Sequence, residues 1–400
     1  MNVFQINTVC GSGSTGRIAV NLARMLEEKG DRSLIAYARG QAPQNVVSFK
    51  FGNKFSIALH GVLTRVTDRH GLYSTHGTKE LIKKIQEENP DIIHLHNIHG
   101  YYVNIKLLFE FLREYQKPVV WTLHDCWSYT GHCAYYSFAG CDKWKTGCEN
   151  CKQKKAYPGS LIIDASRENY AEKKKLFTSL EKFCLVTPST WLKEEVEQSF
   201  FQGKEVVAIP NGIDTKVFVP TESDIKERYG LQKKKVLLGV ANLWEERKGL
   251  SDFIELGKQL DDSYVIVLIG LSKEQIASLP EGIIGIERTA NIAELVQWYS
   301  AADIYINASV EETMGLTTGE AICCGTPVIA YDATAIPESV KEGCGLVVEP
   351  KQVNQVKAAI EEIIKNRPDY VEGCKKQREG FAKHLAEEAY YRLYQKMMGK

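Results

Sequence analysis

Short apolar runs alternate with longer amphipathic stretches along the whole chain, and turn-forming residues separate them. Such alternation predicts an α/β protein, in which parallel strands buried on both faces are joined by crossover helices. In the first half, Asn2–Val9, Ser33–Tyr37, Asp91–Leu95, Pro118–Leu123 and Phe183–Thr187 predict strands. Helical periodicity covers Thr15–Lys29, Thr78–Glu88, Ile105–Tyr115, Ala165–Leu176 and a stretch from Thr190 to about Ser199. The second half starts afresh with strands Lys235–Ala241, Tyr264–Ile269, Ile283–Glu287, Ile304–Asn307, Pro327–Tyr331 and Gly345–Val348. Helices are predicted near Leu250–Leu260, Ile292–Ser300, Leu316–Cys324 and Val353–Lys365, and a last one over Tyr370–Met397. Two such halves, joined near Ile209–Pro220, predict two Rossmann-like domains that bind ligand beyond the carboxyl ends of their strands.

One stretch of the second half concentrates candidate chemistry. Glu312 and Glu320 stand eight residues apart, Gly315 opens a helix between them, and Cys324-Gly325-Thr326-Pro327 turns the chain into an apolar strand. On one continuous helix the two carboxylates would lie about 12 Å apart along the axis. Carboxylates that share a single glycosidic bond stand only roughly 5–10 Å apart. The spacing suits a long ligand held at both ends, such as a nucleotide joined to a sugar through a diphosphate. Free N–H groups at a helix start, near Gly315, Leu316 and Thr317, would meet its phosphate and hydroxyl oxygens.

The Glu312-x7-Glu320 pattern and the Gly325-Thr326-Pro327-Val328-Ile329-Ala330 strand after it resemble the signature of the retaining, nucleotide-sugar-dependent glycosyltransferases of family 4, or group 1. Ile209-Pro210-Asn211-Gly212-Ile213-Asp214, Arg247-Lys248-Gly249 and Thr122-Leu123-His124-Asp125 extend the resemblance across most of the chain, in the family's order. It implies a GT-B fold, two Rossmann-like domains with parallel sheets facing across a cleft. The expected acceptor-side domain is residues 1–205, with a helix at about 380–400 packing back on it, and the expected donor domain is 206–379. The resemblance also implies that Glu312 contacts the donor sugar hydroxyls and Glu320 the nucleotide ribose.

Cleavage of a sugar–diphosphate bond throws negative charge onto the diphosphate, and preorganised cations stabilise it. Arg247 suits bidentate phosphate contact and Lys248 acts as a point charge. Family members commonly carry an arginine earlier, in a Gly-Arg-Leu context. That neighbourhood reads Ala241-Asn242-Leu243-Trp244, so Arg247 is expected to serve instead. His124 ends a predicted strand, and the resemblance brings it to the reacting sugar or the acceptor. His94 and His96 alternate with apolar residues and are expected on one sheet face, without a catalytic metal.

Gly11-Ser12-Gly13-Ser14-Thr15-Gly16 fits the dinucleotide pattern G-x-G-x-x-G, yet the acidic ribose-binding residue expected some 20 positions on is missing. In the resembled family a loop here lets backbone approach donor phosphate and acceptor, which assigns Gly13, Ser14 and Gly16 that role, together with Asn211. An NADP-dependent oxidoreductase built on this loop is one alternative, and a sugar-nucleotide epimerase or hydrolase is another. Cys133, Cys141, Cys148 and Cys151 fall in an insertion that marks a subgroup of the family. Four thiols so close together can form a tetrahedral zinc site, but only the Cys148-x2-Cys151 gap has the usual spacing. Free reduced thiols, disulfides or another metal are the alternatives.

Bulk properties narrow the partners. The formal net charge is zero, which gives no global support for nucleic acid. Residues 1–205 carry 27 Lys+Arg against 21 Asp+Glu, a balance of +6, and the remainder carries 23 against 29. The first half therefore leans toward an anionic partner, a membrane surface or a phosphate-bearing acceptor, unless the difference is unrelated surface variation. No run approaches a membrane span, and the opening residues read as a strand rather than a secretion signal. Eleven cysteines then fit a reducing, cytoplasmic setting, at most peripheral to the inner membrane face. The reading is a retaining hexosyltransferase needing no catalytic metal, with a nucleotide sugar as co-substrate and a saccharide or lipid-linked saccharide, typical of surface polysaccharide biosynthesis, as acceptor.

Overall fold

The computed structural model describes residues 1–400. Thirteen strands are arranged in two sheets, and every pairing is parallel. The chain divides into two units, Met1–Pro210 with Glu387–Lys400, and Asn211–Ala386.

The first unit holds β1 (Asn2–Val9), β2 (Arg32–Arg39), β3 (Ser48–Lys50), β4 (Ile92–Leu95), β5 (Val119–Thr122), β6 (Phe183–Thr187) and β7 (Glu205–Ala208). Their order across the sheet is β3-β2-β1-β4-β5-β6-β7. The chain runs outward from β1 through β2 and β3, then returns to lay β4 on the other side of β1. That reversal opens a crevice at the carboxyl ends of β1 and β4, where doubly wound sheets bind ligand. The second unit repeats the plan with β8 (Lys235–Val240), β9 (Tyr264–Ile269), β10 (Ile283–Ile286), β11 (Ile304–Asn307), β12 (Val328–Tyr331) and β13 (Gly345–Val348). Its order, β10-β9-β8-β11-β12-β13, places the reversal between β8 and β11. Central strands such as β4, β5, β6, β11 and β12 are buried throughout, which explains their largely apolar sequences.

The doubly wound α/β reading holds, with particular departures. The edge strands β3 and β7 and the helix Lys54–Thr67 are absent from the sequence expectations. The final helix is not continuous over Tyr370–Met397. It is two helices, Arg367–Gln377 and Lys383–Met397, separated by a 3-10 turn and an extended Ala382. The break has a tertiary cause. Ile213 N–H donates to the Phe381 carbonyl at 2.7 Å, and Lys383 N–H donates to the Ile213 carbonyl at 2.8 Å. Gly212 lies so close to Lys383 that any side chain there would collide with its backbone. The bridge thus takes the backbone groups a continuing helix would have used.

After the break, Tyr390, Leu393 and Tyr394 are buried in the first unit. They complete a polar chain inside its sheet layer. Tyr394 OH meets His94 Nδ1 at 2.7 Å, His94 Nε2 meets Thr122 Oγ1 at 2.8 Å, and Thr122 Oγ1 meets Tyr390 OH at 2.9 Å. His96, on the same face with its ring 4.1 Å from that of His94, meets Gln5 Oε1 through Nε2 at 3.0 Å. Each buried polar atom has a partner, so the chain avoids the desolvation cost of an orphaned group.

Burial disfavours the imidazolium, and it holds His94 down at about 3 and His60 at about 4. The unfolded value is about 6.5. Unfolding therefore takes up protons below that pH, and stability is lost as pH falls from about 6.5 toward 4. Each histidine contributes at most about 1.4 kcal/mol per pH unit in this window. Urea midpoints at pH 7.5 and pH 5 will show a lower value at pH 5, and equal midpoints would contradict these buried neutral histidines.

Candidate functional site

The loops leaving β8 and β11 meet at the reversal of the second sheet. After β8 the chain makes a tight turn at Glu246–Lys248 and reaches Gly249 in the left-handed region, with φ +76°. A side chain at Gly249 would run into the Ala308 carbonyl at the end of β11. The glycine therefore lets the Lys248 turn lie directly against the β11 loop. Val310 N–H seals this contact by donating to the Arg247 carbonyl at 2.9 Å. As a result Lys248 Nζ pairs with Glu312 Oε1, both side chains being mostly shielded from water.

Glu312 is fixed from three sides. Ser309 Oγ donates to its Oε1 at 3.2 Å, its own N–H donates to Thr334 Oγ1 at 2.9 Å, and Lys248 supplies the charge. The Arg247 guanidinium donates from Nε to Glu245 Oε2 at 2.9 Å and from Nη1 to the Glu311 carbonyl at 3.1 Å. Trp244, in the segment where the resembled family has its earlier arginine, is buried, and its indole N–H donates to the Ile269 carbonyl at 2.9 Å.

The next helix, Leu316–Cys323, begins at Gly315 and packs its Gly319 against Ile213 and Phe381. Glu312 lies in the loop before it and Glu320 on the helix, so no single helix joins the two glutamates. Glu320 Oε2 accepts from Tyr299 OH at 2.9 Å. Thr317 Oγ1 accepts from Tyr305 OH at 2.7 Å, and Thr318 Oγ1 from Asn307 Nδ2 at 3.0 Å. Leu316 N–H points to the Met314 carbonyl at 3.0 Å, so that bond must open before the amide can meet a phosphate. Asn211 stands beside the same loop, its N–H 3.1 Å from Met314 Sδ.

Glu312, Lys248, Arg247, Gly315, Leu316, Thr317, Glu320 and Asn211 therefore all belong to the second unit. Ser309, Thr334 and Tyr299, which orient the two glutamates, are missing from the sequence reading. Ser309, three residues before Glu312 in a loop, carries a local signal of side-chain-to-loop bonding. Tyr299 and Thr334 reach their partners only through the fold.

The first unit carries Gly13, Ser14, Gly16 and His124. Gly11 and Gly13 take φ of +79° and +64°, and Gly13 opens the helix Gly13–Glu28. Gly16 packs against the Gly11 backbone, while Gly13 faces open space with nothing within 4 Å. The exposed side of the loop thus leaves room for a ligand. His124 follows β5, its Nε2 3.3 Å from His96 Nδ1, and burial holds its imidazole down at about 4. A neutral His124 offers a hydrogen bond rather than a charge.

Beside it, Asp125 Oδ2 lies 2.9 Å from His99 Nε2, and His99 Nδ1 lies 3.0 Å from Tyr157 OH. Burial opposes the Asp125 charge, yet His99 and the Trp127 N–H hold the carboxyl below its ordinary value. His99 belongs with His94 and His96 to the histidines clustered in the sequence, but its pairing with Tyr157 does not show there, because 58 residues separate the two.

The insertion after His124 is anchored by buried charge. His132 Nδ1 pairs with Asp68, whose other oxygen accepts from Ala165 N–H at 2.8 Å. Lys173 Nζ donates to the carbonyls of Trp127 at 2.7 Å and Thr130 at 3.0 Å, and burial lowers its pKa to about 7. All eleven cysteines are free thiols. Cys133 and Cys151 share a hydrogen bond that brings Cys151 down to about 7, and Cys148 is close enough to feel both. Cys141 joins them only at the margin of the same cluster. No three His, Cys, Asp or Glu side chains are arranged to hold a metal ion as they stand.

Residues 15–217 match the pattern of glycosyltransferase family 4, and residues 234–366 match that of the group 1 glycosyl transferases. The chain is 26% identical, over 89% of each length, to WcaC of Escherichia coli K12, named as a colanic acid biosynthesis glycosyl transferase. Among solved structures it superposes on a glycosyltransferase of Rickettsia africae with a TM-score of 0.71, at 16% identity over 99% of this chain and 98% of that one. HepE of Anabaena, solved in complex with UDP-glucose, superposes with a TM-score of 0.67, at 15% identity over 98% and 99%. Two parallel sheets of seven and six strands, the crowded reversal in the second and these matches agree: the chain belongs to glycosyltransferase family 4, the group 1 glycosyl transferases, and has their GT-B fold.

Proposed function

We propose that the protein moves a hexosyl unit from a nucleotide sugar to a saccharide or lipid-linked saccharide acceptor, with retention at the anomeric carbon, in surface polysaccharide biosynthesis. The observation that carries this reading is the Lys248–Glu312 pair at the reversal between β8 and β11. A donor diphosphate arriving there would compete with Glu312 for the ammonium and free the carboxylate to accept from sugar hydroxyls. Arg247 adds a second cation, Glu320 takes the ribose, and Gly315, Leu316 and Thr317 offer the helix start to phosphate oxygens. His124 serves the acceptor side as a neutral hydrogen-bond partner, the Gly13–Gly16 loop offers its backbone to an acceptor or phosphate oxygen, and Asn211 adds a polar side chain beside the Met314 loop.

In the reaction the anomeric carbon–oxygen bond to the diphosphate breaks and a bond to the acceptor oxygen forms on the same face. The acceptor proton passes to the departing diphosphate oxygen. Lys248 and Arg247 supply positive charge where it is needed, so the reading assigns no catalytic metal. HepE with its UDP-glucose supports a nucleotide-sugar donor, and the colanic acid assignment of WcaC supports a polysaccharide acceptor.

A panel of UDP-, GDP-, ADP- and dTDP-sugars tests the donor site by thermal shift. At a ligand concentration 100 times Kd, binding adds about 2.7 kcal/mol to stability. One nucleotide class is expected to raise Tm, and Glu320→Ala to abolish that rise. No shift with any of the four would overturn the reading. Lys248→Ala is expected to lower kcat roughly 10²–10³-fold, as removal of one preorganised donor does elsewhere, with KM little changed. An unaltered kcat removes Lys248 from the reaction.

A structural zinc on Cys133, Cys141, Cys148 and Cys151 is a separate proposal. Four free thiols gathered in one insertion support it, and it requires all four to draw closer than they stand. Elemental analysis of the purified protein is expected to give one zinc per chain, lost in Cys151→Ser. Folded, metal-free wild type would refute it.

A further inference from the structure

The helix Lys54–Thr67 is built inside out. Amphipathic helices bury their apolar stripe and present polar residues to water. Here the buried positions are His60, Gly61 and Thr64. His60 is fully engaged, with Nδ1 2.8 Å from Ser74 Oγ and Nε2 accepting from Gly71 N–H at 3.1 Å. Phe55, Leu59, Val62 and Val66, spaced four, three and four residues apart, form the opposite stripe and are exposed, Phe55 at 78%.

A second apolar element lies beside the carboxyl end of this helix. Leu161 N–H donates to the Arg65 carbonyl at 2.8 Å, which fixes the segment Leu161-Ile162-Ile163 against the helix. Leu161 is 71% exposed and Ile162 68%. The platform is firm, because Asp68, the left-handed cap of the helix, is held by His132 and by the Ala165 N–H. Large exposed apolar side chains standing together in this way mark an interaction surface.

The charge around it selects the partner. Residues 53–67 and 151–163 contain Lys54, Arg65, Lys152, Lys154 and Lys155 and not one Asp or Glu. With Asp68 buried and Asp164 taken up by the Cys151 and Ser166 N–H groups, an apolar stripe bordered mainly by cations fits an anionic lipid bilayer, with acyl boundary for the stripe and phosphate headgroups for the lysines. A second copy of this chain would bring the same cations against one another. Through Tyr157, whose hydroxyl meets His99, and Tyr101, whose hydroxyl donates to the Pro158 carbonyl at 2.9 Å, the platform continues into the His99–Asp125 side of the first unit.

We infer that the helix Lys54–Thr67 and the Leu161–Ile163 segment dock the first unit onto an anionic bilayer, so that a lipid-linked acceptor is taken at the membrane surface. This rests on the acceptor reading above and deepens it. No helix of the chain is long and apolar enough to cross a membrane, so the contact is an interfacial one.

Co-sedimentation with phosphatidylglycerol/phosphatidylcholine vesicles, and with phosphatidylcholine alone, tests it. The wild type is expected to sediment with the anionic vesicles, with at least a tenfold smaller bound fraction on phosphatidylcholine and weaker binding at high salt. Phe55→Asp and Ile162→Asp, both at exposed positions, are each expected to reduce binding about tenfold with unchanged Tm. Equal binding by these variants, or no sedimentation of the wild type, overturns the inference. So does a wild-type dimer that Phe55→Asp dissociates and that ignores vesicles, which would assign the face to self-association. Donor-induced thermal shifts measured on the same samples keep the two readings apart: a variant that loses vesicles and keeps its donor shift has lost only the membrane contact.

Discussion

A parallel strand can return to its neighbour's starting end only by crossing a face of the sheet, so every loop after a strand emerges at the same edge. Thirteen parallel strands in two sheets therefore deliver all their carboxyl-end loops to one edge of each unit. Where the strand order reverses, two of those loops leave in opposite directions and a gap opens between them. In the second unit the gap is bordered by the Lys248 turn and the Glu312 loop. Gly249 brings them into contact, since a side chain there would strike Ala308. The charge pair is thus a product of backbone topology first and of residue choice second.

The local parts of this plan are legible in the sequence. Strands appear as largely apolar runs, and β1, β6, β9, β11 and the partly exposed β13 have the bounds that those runs predict. Gly315 marks a helix start, with Glu312 in the loop before it and Glu320 within the helix, because each signal lies within a few residues. What escapes is whatever the fold decides at a distance. The final helix breaks at Ala382 because Ile213, far back in the chain, claims its backbone groups. Tyr299 orients Glu320 from another helix, and Asp68 meets His132 across 64 residues. The helix Lys54–Thr67 has ordinary periodicity, yet its stripe of Phe55, Leu59, Val62 and Val66 is exposed, and the face turned to the core carries His60, Gly61 and Thr64 beside Ile57.

Buried polar groups give the first unit its specificity. A sheet layer containing Gln5, His94, His96 and Thr122 holds together because each is bonded to a defined partner. Apolar residues would pack in several ways, whereas such a chain of hydrogen bonds tolerates one arrangement. Lys173 and the Asp68–His132 pair do the same for the cysteine-bearing insertion, seating it against the sheet despite its shortage of regular structure. His124, Asp125 and His99 therefore rest on a polar scaffold fixed well beneath the surface.

Tyr390 and Tyr394 bind this scaffold from the very end of the chain, and 300 residues separate His94 from Tyr394. At a synthesis rate of about 5–20 residues per second, roughly 15–60 s pass between the two during translation. A first sheet formed in that interval would have His94 and Thr122 unsealed by these tyrosines, while the entire second unit is being made. The first unit is begun before the second and finished after it.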